Sequence, residues 1–297
     1  MNATATRTQI ELKNVLFATD FSEAAAAAMP YAKTIAKTYG AHLFVLHVMS
    51  PAVDPMTSPE IWASTGEANR MQAERYRTEL SEQFAEFHSD ILMPEGDIRA
   101  LLPQIVSEKK IDLVVIGTRG RSGVKKFFLG SVAEEVFRQI SCPVLTVGPH
   151  ASTSLDVDGG PRRILYATNF SEQSGLAASF AVSLAEEFQA NLTLTHCVAD
   201  PAVGDLVNKT QLEDHFRAQL RSLVPAEAES WCKVEYVVKE GEAAEGILEA
   251  ARERNVNLIV LGVHPESGFP GASTHLPMAT AHKVVSHAHC PVLTIRH

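Results

Sequence analysis

Residues 14–23 read NVLFATDFSE, and 149 residues further on, residues 163–172 read RILYATNFSE. The agreement continues in order along both halves. His47 and His196 each end an apolar run at that offset, and Glu95-Gly96-Asp97 matches Glu240-Gly241-Glu242. IDLVVIG (111–117) matches VNLIVLG (256–262), and CPVLTVG (142–148) matches CPVLTIR (290–296). A chain with this self-similarity must fold as two copies of one unit. The units are 1–150 and 160–297, joined by the polar stretch HASTSLDVDGG (150–160). The length of 297 residues fits two domains of about 150 residues each.

Each copy alternates two patterns. Short apolar, β-branched runs occupy 14–19, 42–48, 111–116 and 143–147, then 163–168, 192–198, 256–261 and 291–295. Runs apolar on both faces suit parallel strands covered from either side. A weaker third strand falls at 89–93 and 233–238. Between the runs lie amphipathic helices, the first with Ala24, Ala28, Tyr31, Ile35 and Tyr39 at helical spacing, Ser22 as N-cap and Gly40 as stop. Others fall at 67–88, 98–109, 210–222 and 243–254. The expectation is α/β: two tandem, doubly wound, parallel five-stranded domains of Rossmann-like form.

Charge narrows the partners. The net charge is −9, and residues 1–150 hold 15 Lys and Arg against 17 Asp and Glu, where the rest hold 11 against 18. That balance speaks against nucleic acid. No long apolar run suggests a membrane span, and the polar N-terminus has no secretory h-region. Cys142, Cys197, Cys232 and Cys290 form no CxxC pair. A cytoplasmic location is expected.

The fourth run leads into GTRGRSGVKKFFLGS (117–131). Ligands of open parallel sheets sit beyond the carboxyl ends of the strands, where strand order reverses. Gly117, Gly120 and Gly130 allow close backbone approach, and a helix starting at Ser131 would aim free N–H groups at an anion. Arg119, Arg121, Lys125 and Lys126 raise the local potential. The pattern suits a phosphate chain, with Asp20 an acceptor for ribose hydroxyls or an adenine amino group. Neither GxxxxGK[ST] nor GxGxxG follows the first strand, which runs on into DFSEAAAAA.

With an Asp ending the first strand, G-x2-G-x9-G-[ST] after the fourth, and the CPVLTV ending, the chain resembles the universal stress protein family in tandem. In the ATP-binding branch of that family, the resemblance implies that Ala18, Asp20 and Val48 meet adenine and ribose. Ile116 and Gly117 would line the ribose side, while Gly120, Gly130, Ser131 and Val132 would bind phosphates, with a divalent ion such as Mg²⁺. The resemblance also implies pairing of the final strands across the two domains, an intrachain pseudo-dimer, with a homodimer of two chains left open.

The second copy departs from this pattern. Asn169 stands for Asp20, Pro265 for Gly120, and Met278-Ala279 for Gly130-Ser131, and residues 255–282 contain no Lys or Arg. ATP is therefore expected in the first domain only. The leading expectation is a nucleotide-binding stress-response module with unknown protein partners and slow or no hydrolysis. A weak ATPase and a nucleotide-independent interaction module are the alternatives. His47 and His196 read as core histidines, Cys142 and Cys290 as core thiols, and the C-terminal histidines, including His282, His287 and His289, as structural or solvent-facing.

Overall fold

The computed structural model describes residues 10–49, 59–118, 140–148, 150–151, 160–198, 209–263 and 276–296, excepting the side chains of 59–67, 172–174 and 276–279. In the first half, β1 (Asn14–Ala18), α1 (Glu23–Tyr39), β2 (His42–Leu46) and α2 (Pro59–Gln83) precede β3 (Ser89–Leu92), α3 (Ile98–Glu108), β4 (Leu113–Gly117) and β5 (Val144–Val147). In the second, β6 (Arg163–Ala167), α4 (Glu172–Glu187), β7 (Asn191–Val198) and α5 (Lys209–Ser222) are followed by β8 (Val234–Glu240), α6 (Ala243–Glu253), β9 (Leu258–Val263), α7 (Leu276–His287) and β10 (Val292–Arg296).

Alternation along the strands explains why both faces need cover. Val15 and Phe17 of β1 pack into one apolar cluster with Ala28, Ile35, Leu80 and Phe84. Leu16, between them, packs on the other side with Leu102 and Val106 of α3. The same division recurs in β6, where Ile164 and Tyr166 join the first cluster and Leu165 the second. Helices α1, α2, α4 and α5 thus cover one face, and α3, α6 and α7 the other.

The strands form one ten-stranded sheet, ordered β3-β2-β1-β4-β5-β10-β9-β6-β7-β8. Neighbours within each half run parallel. At the junction β5 and β10 run antiparallel, with Leu145 opposite Leu293 and the Thr294 hydroxyl donating to the Val144 carbonyl at 3.2 Å.

Local signals act where expected on α1. Ser22 accepts from the Ala25 N–H, and Gly40 adopts a left-handed φ of 61°, a conformation that costs glycine little. The second helix differs from the expectation of 67–88. It begins at Pro59, a residue suited to a first helical turn, over a stretch with no clear apolar stripe. It stops at Gln83, after which the Phe87 N–H donates to the Phe84 carbonyl at 3.0 Å in a turn.

Candidate functional site

From β1 the first half winds outward to β2 and β3, then returns to the other side of β1 for β4 and β5. The reversal lies between β1 and β4, where Ala18 is the register partner of Ile116. A crevice beyond the carboxyl ends of such a pair is where this class of sheet receives ligands. Ala18 and Val48 pack against the apolar cluster that contains Ile116, so three of the expected residues share one face. Gly117 is the last residue of β4, and Asp20 lies two residues past the end of β1. Gly120, Gly130, Ser131 and Val132, with Arg119, Arg121, Lys125 and Lys126, lie outside the described residues.

The turn after β1 is built from side chain to backbone. The Thr19 N–H donates to the Leu46 carbonyl at 2.9 Å, tying the strand end to β2. Thr19 Oγ1 accepts from the Phe21 N–H at 3.1 Å, and Asp20 Oδ1 from the Ser22 N–H at 3.0 Å. Those bonds hold Phe21 at φ 60°, an uncommon value for a bulky residue. Its ring stacks on Tyr76 of α2 at 4.0 Å between centroids and meets His47 edge-on at 4.8 Å. His47, buried, places Nδ1 2.8 Å from the Thr19 carbonyl. Since a carbonyl only accepts, Nδ1 carries the proton.

The second half repeats this construction. Phe170 has φ 59°, Asn169 Oδ1 accepts from Ser171 at 3.1 Å, and His196 Nδ1 lies 2.9 Å from the Thr168 carbonyl. Phe216 takes the place of Tyr76, 4.5 Å from the His196 ring. Burial holds the His196 imidazole below its usual value near 6.5. The turn therefore needs a side-chain acceptor but no negative charge, for Asn serves it as Asp does. Both histidines are core residues on the sequence pattern alone; His47 is buried and His196 part-buried, and the clamp they complete goes beyond that pattern. The repeated Thr-[Asp/Asn]-Phe-Ser, paired each time with a histidine ending the next strand, was the available signal.

Gly117 has a packing reason of its own. A Cβ there would lie 2.5 Å from the backbone carbon and oxygen of Ala24, so the first turn of α1 rests directly on this residue. Thr118 follows, its N–H donating to Val147 at 3.0 Å. The Thr118 hydroxyl, on the Ile116 side of the strand by alternation, is buried and has no hydrogen-bond partner among the described residues. That is an uncommon state for a buried polar atom, and it sits at the root of the glycine-containing loop.

The thiols are protonated at neutral pH. Burial pushes Cys142 and Cys290 up to about 12, and Cys197 and Cys232 up to about 11. All four are free. Among the described residues, no helix is long and apolar enough to cross a membrane.

The sequence model of the Universal stress protein family matches residues 11–148 and again residues 160–296. The chain belongs to the universal stress protein family. A universal stress protein of Thermus aquaticus is 33% identical over 135 residues, 46% of this chain and 98% of its own length. One from Mycolicibacterium smegmatis is 25% identical over 293 residues, covering 95% of this chain and 96% of its own. Among solved structures, a universal stress protein of Archaeoglobus fulgidus shares the fold with a TM-score of 0.72 at 21% identity, covering 97% of this chain and 99% of its own. In sequence, the second half departs from the crevice of the first at Asn169 for Asp20, Pro265 for Gly120 and Met278-Ala279 for Gly130-Ser131.

Proposed function

We propose that the first half binds an adenine nucleotide, ATP with Mg²⁺, in the crevice between β1 and β4, and that the second half is its structural or regulatory partner. The observation that carries this reading is the convergence at the switch point: Ala18, Asp20, Val48, Ile116 and Gly117 stand at the ends of three adjacent strands, β2, β1 and β4. Ala18, Val48 and Ile116 offer an apolar wall to a base, and Asp20 a carboxylate to a ribose or to the metal. The Thr118 hydroxyl, without a hydrogen-bond partner among the described residues, fits a site completed by a polar ligand.

The loop 117–131 supplies the polyanion end through Gly120, Gly130, Ser131 and Val132. In the second half Pro265 removes an N–H and Met278-Ala279 replace the glycine-serine pair, so phosphate has no equivalent seat there. The nucleotide acts as a ligand that biases conformation or partner choice in a cytoplasmic stress response, with hydrolysis slow or absent.

The test is to denature freshly purified protein and identify released nucleotide by chromatography and mass, beside Gly130→Val and Ser131→Pro. One ATP per chain, lost in both variants, is the expected result. Two per chain would sink the one-site reading. None, with no binding after ATP and Mg²⁺ are added back, would leave an interaction module. Steady phosphate release abolished by Asp20→Ala would make the protein an enzyme.

A further inference from the structure

Far from the crevice, the outer edge of the first half brings two imidazoles and a carboxylate together. In the β2–β3 register Leu43 lies opposite Ser89 and Phe44 opposite Asp90, so His42 falls opposite His88 just before β3 begins. The Leu43 N–H donates to the His88 carbonyl at 2.9 Å, continuing that register. Side chains two residues apart on a strand share a face, which puts His42, Phe44, His88 and Asp90 on one side of the sheet.

The two rings meet edge to face, centroids 4.0 Å apart, with their Nδ1 atoms 3.1 Å from each other. The second nitrogen of His42, Nε2, is buried and lies 3.3 Å from Asp90 Oδ2, close enough for an ion pair though not aligned as a hydrogen bond. A lone pair on Nε2 would face a carboxylate, so the proton belongs on that nitrogen. His42 Nδ1 then accepts from the Nδ1–H of His88 at 3.1 Å, and a metal ion would take the place of that proton, with His88 carrying its own proton on Nε2 instead. His88 and Asp90 are exposed, so a solute reaches this side of the pair.

We propose that His42 and His88 form a two-histidine site for a transition-metal ion of the Zn²⁺ class, with Asp90 orienting His42 from its outer nitrogen. Zinc binds imidazole nitrogen at about 2.0–2.1 Å, which in a tetrahedral site separates two such nitrogens by roughly 3.3–3.4 Å. The observed spacing needs only a small swing of the exposed His88 ring. Ligating histidines commonly give their other N–H to a carboxylate, which fixes the tautomer and raises basicity, and Asp90 Oδ2, 3.3 Å from Nε2, is within reach of that role once the metal turns the ring into line. Phe44 adds stiffness, its ring 4.4 Å from the His42 ring. Among the described residues no three metal-ligating side chains converge on one point, so water completes the coordination. The Lys109 ammonium, 5.7 Å from the Phe44 ring centre, works against a bound cation without closing the site.

The second half gives an internal control. Asn14 is opposite His42, as Arg163 is opposite Asn191, and Leu43 opposite Ser89 corresponds to Leu192 opposite Val234. The counterparts of His42, His88 and Asp90 are therefore Asn191, Lys233 and Glu235. There Lys233 Nζ sits 2.8 Å from Glu235 Oε1. The second half meets its edge carboxylate with a built-in cation, where the first half offers two imidazoles.

The experiment is a calorimetric titration of untagged, metal-free full chain with Zn²⁺. His88 is exposed, so His88→Ala is expected to fold normally, checked by its circular dichroism and melting temperature without metal. The expected result is loss of the tightest Zn²⁺ event, or at least a tenfold weakening, in His88→Ala. Asp90→Asn is expected to weaken the same event about 10- to 100-fold. Zinc should raise the melting temperature of wild type but not of His88→Ala. Superimposable isotherms for wild type and His88→Ala would overturn the site, and equal affinity in Asp90→Asn would remove the carboxylate from it.

Discussion

Within the turn, Asp20 and Asn169 each accept the N–H two residues ahead. That equivalence separates folding from ligand binding at one position. Asp20→Asn should leave the urea midpoint unchanged, because the second half already uses that residue in that turn. Under the proposed function its affinity for ATP and Mg²⁺, read by calorimetry, should fall about tenfold or more, the scale of losing a charged hydrogen bond. An unaltered affinity would place Asp20 in the turn alone. Two glycines make a further contrast. Gly117→Ala drives a methyl into the backbone of Ala24 at 2.5 Å and should cost about 1–3 kcal/mol, the scale of overpacking a filled core. Gly175→Ala, with nothing within 4 Å and an exposed place on α4, should stabilise by about 0.5–1 kcal/mol. Both are read from denaturant midpoints.

Among the elements, two in the second half should respond to pH. His196 at the end of β7 and His289 just before β10 both have imidazoles pushed below the usual 6.5 by burial, His289 also by the Arg252 charge. The unfolded chain then binds more protons than the native one. Stability is fully present above about pH 6.5 and falls as pH drops below it, down to each folded value. Urea midpoints measured between pH 8 and 5 should show this decline, and His196→Gln should flatten it. A profile unchanged by that substitution would show that His196 carries no share of the effect. Most elements could be read in advance because their strands are apolar on both faces, as in Leu113–Ile116, or their helices end in plain signals, as Ser22 and Gly40 do. The start of α2 could not, since PEIWASTG presents no stripe. The clamp of Thr19, Phe21, His47 and Tyr76 also escaped, because it joins residues up to 57 positions apart through ring contacts that leave no local period.

Over the whole molecule, β5 and β10 carry the strand pairing between halves, and Leu145 and Leu293 meet at its centre. Both also line an apolar cavity between α1 and α4, with Tyr31, Phe180 and Phe188. Each Leu→Ala should cost about 2–5 kcal/mol. As direct partners in one cavity wall they should not add: the double variant should depart from the sum by at least about 0.5 kcal/mol in a denaturant cycle. Simple additivity would mean that each side chain is held by its own half alone. The seam has a consequence for inheritance. When two copies of one gene product pair, every substitution is written into both partners at once, and a change harmless to one role must be survivable in the other. Here the partners are spelled separately along one strand of coding sequence. One copy can keep Asp20 and two imidazoles at its rim while the other drifts to Asn169 and a lysine, and the pairing passes on both spellings together.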